Sequence, residues 1–224
     1  MKTFGDQAYH FFNQLRIKEA LPKGIKCLLP FKDTEVQKVN QLFFKKYYND
    51  HQARKMIIGI NPGRFGAGVT GINFTDPVNC ARVLKIENSF EKRSELSSDF
   101  IYKVIDSLGG PEVFFSTFFI TSVSPIGFTL DNKNLNYYDN KTLQSKLYEF
   151  IVQSLKTQLK FGIDRKAVYC LGEGKNYKFI SELNSRYSFF EKIVPLAHPR
   201  YIMQYKRKEL ESYIEYYLTV LQEN

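Results

Sequence analysis

Apolar residues recur at helical spacing over residues 4–19, at Phe4, Tyr9, Phe12 and Leu15, and predict an amphipathic helix that Pro22 and Gly24 end. Asp33 or Thr34 caps the next helix, Gln37 completes a capping box with Thr34, and Val36, Val39, Leu42, Phe43 and Tyr47 form its apolar face. The pattern changes at Met56–Ile60, an unbroken apolar run that reads as a buried strand. A glycine-rich loop follows. Val78–Leu84 then predicts a short helix, residues 87–98 an exposed polar connection, and Asp99–Leu108 a helix stopped by Gly109-Gly110-Pro111. Val113–Val123 is β-branched and aromatic throughout and reads as a central strand, broken by turn chemistry at Ser124-Pro125-Ile126-Gly127-Phe128. Asp131–Asn140 reads as a polar loop. Leu143, Leu147, Phe150, Ile151, Leu155 and Leu159 mark a long helix, and Ala167–Leu171 a third strand that stops at Gly172-Glu173-Gly174. After a helix over Asn176–Arg186, Lys192–Leu196 is the fourth strand and ends at Ala197-His198-Pro199-Arg200. Leu210, Tyr213, Ile214, Tyr217, Leu218 and Leu221 lie on the apolar side of a last helix.

Strands that alternate with helices imply an α/β fold, a three-layer α-β-α sandwich around a four-stranded parallel sheet with right-handed crossovers. No repeat, low-complexity tract or linker divides the chain, so one domain over residues 1–224 is expected. In such sheets the ligand lies beyond the carboxyl ends of the strands. Asn61, Ser122–Ser124, Gly172–Gly174 and His198 should therefore converge.

Composition narrows the class. A hydrophobic content of 43% and an aromatic content of 16% support a sizeable core and argue against disorder. The net charge of +9 favours a polyanionic partner, most simply nucleic acid, although an anionic membrane surface also suits it. No run of about 18 apolar residues is present and the first residues lack a signal-peptide pattern, so a soluble protein is expected. Cys27, Cys80 and Cys170 are isolated, which argues against a disulfide framework and against zinc or iron–sulfur clusters. A cytoplasmic location is expected, nucleoid-associated in a bacterium, with no metal and no cofactor.

The chemistry concentrates in Gly59 to Asp76, GINPGRFGAGVTGINFTD, where five glycines fall within thirteen residues. Gly66-Ala67-Gly68-Val69-Thr70-Gly71 matches a dinucleotide fingerprint in letters only: it starts six residues after Ile60, no helix-forming stretch follows it, and no strand with a terminal acid comes later. A Walker loop would need Gly-Lys-Ser/Thr, which Arg64-Phe65-Gly66 does not supply. A purely structural loop leaves Asn61 and Phe74 unexplained.

The run GINPGRFGAGVTGINF resembles motif one of the single-strand-selective monofunctional uracil-DNA glycosylases, within the uracil-DNA glycosylase superfamily. Ala197-His198-Pro199-Arg200 resembles the start of their motif two. Phe119–Pro125 resembles the middle strand that supplies a base-reading side chain, and Val168–Gly172 the strand between. The resemblance runs in order from about Lys55 to Arg200. It implies a uracil-DNA glycosylase-like fold and a base-excision repair enzyme that flips a damaged base, hydrolyses its N-glycosidic bond and leaves an abasic site. Asn61 would orient the water and His198 would donate a hydrogen bond to the departing base. Gly63, Phe65, Phe74 and Ser122 would form the base pocket, with Phe74 stacking on the base. A tyrosine in related enzymes occupies the place of Gly63, so 5-substituted uracils are expected to fit. Ser122 stands where the family has an asparagine, so looser base choice is expected, extending to deaminated purines; Asn79 and Asn132 are candidates to replace the missing amide. Arg200 and Tyr201 would form a wedge in the DNA stack, Lys206, Arg207 and Lys208 would meet phosphate, and Tyr137 and Tyr138 would add contacts. The partner implied is DNA, bound by a monomer. Read from residues alone, a non-catalytic nucleic-acid binder that keeps the pocket, or a nucleotide-binding protein, stays open.

Overall fold

The first helix begins on a reciprocal cap: the Thr3 hydroxyl accepts from the Asp6 N–H at 3.1 Å, and the Asp6 carboxylate accepts from the Thr3 N–H at 3.0 Å. In the computed structural model, which describes residues 2–223, this helix is α1 (Phe4–Asn13). There follow strand β1 (Ile25–Leu28), helix α2 (Thr34–Tyr47), strand β2 (Arg54–Gly59), the short helices α3 (Ala67–Thr70) and α4 (Pro77–Arg82), and helices α5 (Leu96–Ser107) and α6 (Pro111–Thr117). Strands β3 (Phe118–Ser122), β4 (Gly127–Leu130) and β5 (Lys133–Leu135) come next, then helix α7 (Lys141–Gln158), strand β6 (Ile163–Leu171), helix α8 (Lys175–Tyr187) and strand β7 (Lys192–Leu196). Helices α9 (Pro199–Tyr205) and α10 (Leu210–Glu223) are the last among the described residues.

The expected parallel sheet is present, in the order β3-β2-β6-β7. The chain leaves β2 for β3 on one side and returns to β6 on the other, so the order reverses at β2 and opens a crevice beyond its carboxyl end. Side chains alternate along β3: Phe119 meets Phe4 of α1 while Phe118 meets Phe114 of α6, so helices cover both faces. At the other end of β2, Arg54 is fully buried between the rings of Phe4 and Tyr48. Its guanidinium pairs with Asp50 at 2.7 Å and donates to the carbonyls of Phe115, Gln52 and Tyr47. No helix among the described residues is long and apolar enough to cross a membrane.

Several expected elements change. Helix α1 stops at Asn13 rather than residue 19, and β1, whose Lys26 and Cys27 are both exposed, lacks the alternation that marks a strand. Asp33 alone caps α2, accepting from the Glu35 and Val36 N–H groups, while Gln37 turns to the Phe31 carbonyl, so the Thr34 box does not form. Leu42 faces solvent at 45% exposure. The run Val113–Val123 is half helix: Pro111 fits the first turn, and α6 buries Phe114 and Phe115 before β3 begins at Phe118. A wholly apolar run carries no period by which to tell the two apart. Asp131 and Asn132 adopt φ of 49° and 58°, the conformation a two-residue hairpin turn demands, so β4 and β5 replace part of the expected loop. These strands join β1 in a second, antiparallel sheet, ordered β1-β4-β5.

Candidate active site

A cavity of about 500 Å³ lies at the carboxyl ends of β2, β3 and β7. Asn61 and Gly63 line it from just beyond β2, Phe74 from the same loop, Ser122 from the end of β3, and His198, Arg200 and Tyr201 from beyond β7. The fourth expected point, Gly172–Gly174, does not reach it. There Asn176 of α8 plugs the space, donating to the carbonyls of Leu171 and Gly59 and accepting from the Tyr137 hydroxyl.

The loop after β2 is folded onto itself by main-chain bonds, with the Gly68 N–H donating to the Gly63 carbonyl at 2.8 Å. The buried Thr70 hydroxyl ties its far end by donating to the Thr75 carbonyl at 2.7 Å. Phe74 is held at φ 53°, a left-handed conformation that costs a non-glycine residue roughly 1–2 kcal/mol. Its ring lies over Gly59, where a Cβ would come within 2.5 Å of the ring, so only glycine admits the close approach. The ring centroid is 6.2 Å from that of His198.

Asn61 is clamped. Its Oδ1 accepts from the Tyr137 N–H at 3.0 Å, and its Nδ2 donates to the carbonyls of Leu135 at 3.3 Å and Pro62 at 3.4 Å. The segment after β5 thereby fixes the amide, and a second lone pair remains on its oxygen. His198 caps α9 with its Nδ1, which accepts from the Arg200 N–H at 3.1 Å. Its proton in the neutral form is therefore on Nε2. Desolvation pushes the imidazole pKa down to about 4, and the nearby Arg200 charge acts in the same direction. The ring is neutral at physiological pH.

The family model of the uracil DNA glycosylase superfamily matches residues 45–222. The chain belongs to the uracil-DNA glycosylase superfamily. Among solved structures it is similar to the crystal structure of SMUG2 from Pedobacter heparinus, at 44% identity and a TM-score of 0.95, over 99% of this chain and 98% of that one. No curated protein sequence matches. Membership assigns the reaction class: this is a monofunctional uracil-DNA glycosylase, a hydrolase of N-glycosidic bonds acting in base-excision repair, and its partner is DNA.

The cavity differs from the sequence reading in its polar wall. The Ser122 hydroxyl donates to Asn73 Oδ1 at 2.8 Å, so the serine is engaged, and Asn73, buried at 7% exposure, lines the cavity beside it. Asn73 sits one residue from Phe74, and nothing in the sequence of the loop distinguishes it from the other polar residues set among the glycines. The two candidate replacements lie elsewhere: Asn79 is buried and bonded to Asp76, Ser98 and the exposed Arg82, and Asn132 is exposed in the β4–β5 turn. Phe65 does not line this cavity. The guanidinium groups of Arg64 and Arg93 cover its ring at 4.2 and 4.3 Å from the centroid, in an adjoining cavity of about 340 Å³. Glu95, expected within an exposed connection, is partly buried and borders both cavities, as do Asn134 and Arg200.

Arg200 and the 45%-exposed Tyr201 stand at the rim, accompanied by Gln204 and Tyr205. Lys206 pairs with Glu209 at 2.9 Å, and Arg207 and Lys208 are exposed beyond it, outside the cavity. Tyr137 is fully buried against Asn176 and is unavailable to DNA, whereas Tyr138 is partly buried.

Proposed function

We propose that the enzyme extrudes a uracil nucleotide from DNA into this cavity and hydrolyses its N-glycosidic bond, with His198 and Asn61 as the catalytic residues. The observation that carries the proposal is the meeting of a neutral, orientation-locked imidazole with a clamped asparagine beside an aromatic platform. Uracil leaves as an anion. The Nε2–H of His198 stabilises the charge that develops on a base carbonyl, an oxyanion-hole contact that strengthens as the bond breaks. The Asn61 oxygen accepts a hydrogen bond from the attacking water through its remaining lone pair. An amide cannot take the water's proton, so departure of the base runs ahead of attack. The cavity lining contains no lysine to form a Schiff base, in keeping with hydrolysis that leaves the backbone intact.

Phe74 stacks on the base. Asn73, held by Ser122, reads its polar edge in place of the family asparagine, and one amide serving several bases supports a range that includes deaminated purines. The place beside Gly63 is bounded by polar atoms, Glu95 Oε1 and Asn134 Nδ2, which suits a polar 5-substituent. Arg200 and Tyr201 enter the stack from the rim while Arg207 and Lys208 meet phosphate. The enzyme acts on DNA as a monomer. The test is single-turnover excision from a uracil oligonucleotide by wild type, Asn61→Ala and His198→Ala. Loss of the His198 donor costs about 10²–10³ in rate, and excision by Asn61→Ala should also fall. Full-rate excision by both variants would overturn the assignment of roles.

A further inference from the structure

Glu95 is the N-cap residue of α5, yet its side chain makes no cap hydrogen bond. The aspartates at the equivalent positions of α2 and α4, Asp33 and Asp76, both do. Only the Glu95 main chain is tied there, its N–H donating to Asp76 Oδ2 at 2.9 Å. The carboxyl group turns instead to the glycine loop. A Cβ on Gly63 would come within 3.0 Å of Glu95 Oε1, and a Cβ on Gly66 would overlap Glu95 Oε2. Two glycines of the motif thus make room for one carboxyl. No described residue donates a hydrogen bond to it, and it borders the base cavity.

A carboxylate is a costly neighbour for a leaving group that departs as an anion, since like charges repel. A protonated carboxyl is the opposite, because it can donate. We propose that Glu95 reads the edge of the flipped base beside Gly63, its protonated carboxyl donating a hydrogen bond to the carbonyl oxygen there, O4 of uracil or O6 of hypoxanthine. This rests on the base occupying the cavity as described above. The charged groups that face the carboxyl are Arg200 from α9, Asp76 ahead of α4 and Asp99 one turn along α5, with Arg64 and Lys133 lining the adjoining cavity. Desolvation is the largest influence and raises the pKa to about 7; Arg200 opposes it and the two aspartates reinforce it. The acid is therefore half protonated near neutrality, and the donor is lost as pH rises.

The test is the pH profile of single-turnover uracil excision between pH 6 and pH 8 at saturating enzyme. His198, neutral above about pH 4, does not titrate in this window. An acid of pKa near 7 makes the wild-type rate fall roughly tenfold across it. In Glu95→Gln, which keeps the shape and a donor N–H but cannot ionise, the ratio of rates at pH 6 and pH 8 falls to about one. Glu95→Ala is equally flat and slower at pH 6 by roughly fivefold or more, the loss of one buried donor. A Glu95→Gln profile that keeps the wild-type slope, or a Glu95→Ala rate equal to wild type at pH 6, overturns the proposal. Binding of free uracil, followed by tyrosine fluorescence over the same range, separates the two layers of argument. Affinity that weakens above pH 7 in wild type but not in Glu95→Gln supports edge reading even in a chain that excises nothing. Affinity independent of pH in both overturns it.

Discussion

Phe74 offers a substitution that separates a core filler from a base platform. Replacing it with glycine removes the ring but suits the left-handed backbone at φ 53°. Release of that conformation returns roughly 1–2 kcal/mol, and the extra freedom of glycine in the unfolded chain takes back up to about 1 kcal/mol. The ring is only partly buried, so lost packing costs about 1–2 kcal/mol. The net loss of stability is expected below about 2 kcal/mol, against about 3–5 kcal/mol for removing a phenylalanine from a core. Stacking on a base is worth about 1–3 kcal/mol, so excision should slow roughly 5- to 150-fold. Urea denaturation measures the first quantity and single-turnover excision the second. Phe74→Tyr, which keeps the π-face, serves as the control and should stay within a few-fold of wild type. A folded Phe74→Gly enzyme that excises uracil within twofold of the wild-type rate would refute the platform role.

Ser122→Ala frees the Asn73 amide that the serine hydroxyl holds, while Asn73→Ala removes it; excision rates should fall in both, by more in Asn73→Ala, and a larger loss in Ser122→Ala would return the reading role to the serine. Asp50→Ala leaves the buried Arg54 guanidinium without its counter-charge and should cost about 3–5 kcal/mol of stability, roughly 10 °C in Tm by thermal melting. His198 carries a pKa depressed from the ordinary 6.5 to about 4, so between those values the unfolded chain binds more protons than the folded one. Stability associated with this residue is complete above pH 6.5 and is lost as pH falls toward 4, and the urea midpoint should drop between pH 7 and pH 5 more steeply in wild type than in His198→Gln.

The parallel sheet was legible from apolar runs at its strands' carboxyl ends, and Lys192–Leu196 is found with the bounds its pattern predicts, whereas β6 starts at Ile163, ahead of the expected Ala167, because Asp164, Arg165 and Lys166 interrupt its apolar pattern. Asn61, Gly63, Phe74, Ser122, His198, Arg200 and Tyr201 meet at one cavity because each ends or follows a strand of that sheet. What escaped has physical causes. Phe114 and Phe115 are buried on a helix by the same apolar composition that suits a strand, so the start of β3 moved to Phe118. Phe65 looks like a pocket aromatic by its place in the loop, but the guanidinium groups of Arg64 and Arg93 cover its ring and it lines the adjoining cavity instead. Asn73 and Glu95 were obscured by their neighbours, the first among turn formers and the second in a run of charge. Only the tertiary arrangement joins Ser122 to Asn73, 49 positions apart in the chain, or brings Glu95 against Gly63 and Gly66.

This cavity, on the proposal made above, hydrolyses the N-glycosidic bond of uracil in DNA. The most direct measurement follows free uracil and strand integrity together, on an oligonucleotide with one uracil. One uracil should be released per strand, with breakage appearing only after alkali. Breakage at the uracil without alkali, or binding of the oligonucleotide with no uracil released, would contradict it.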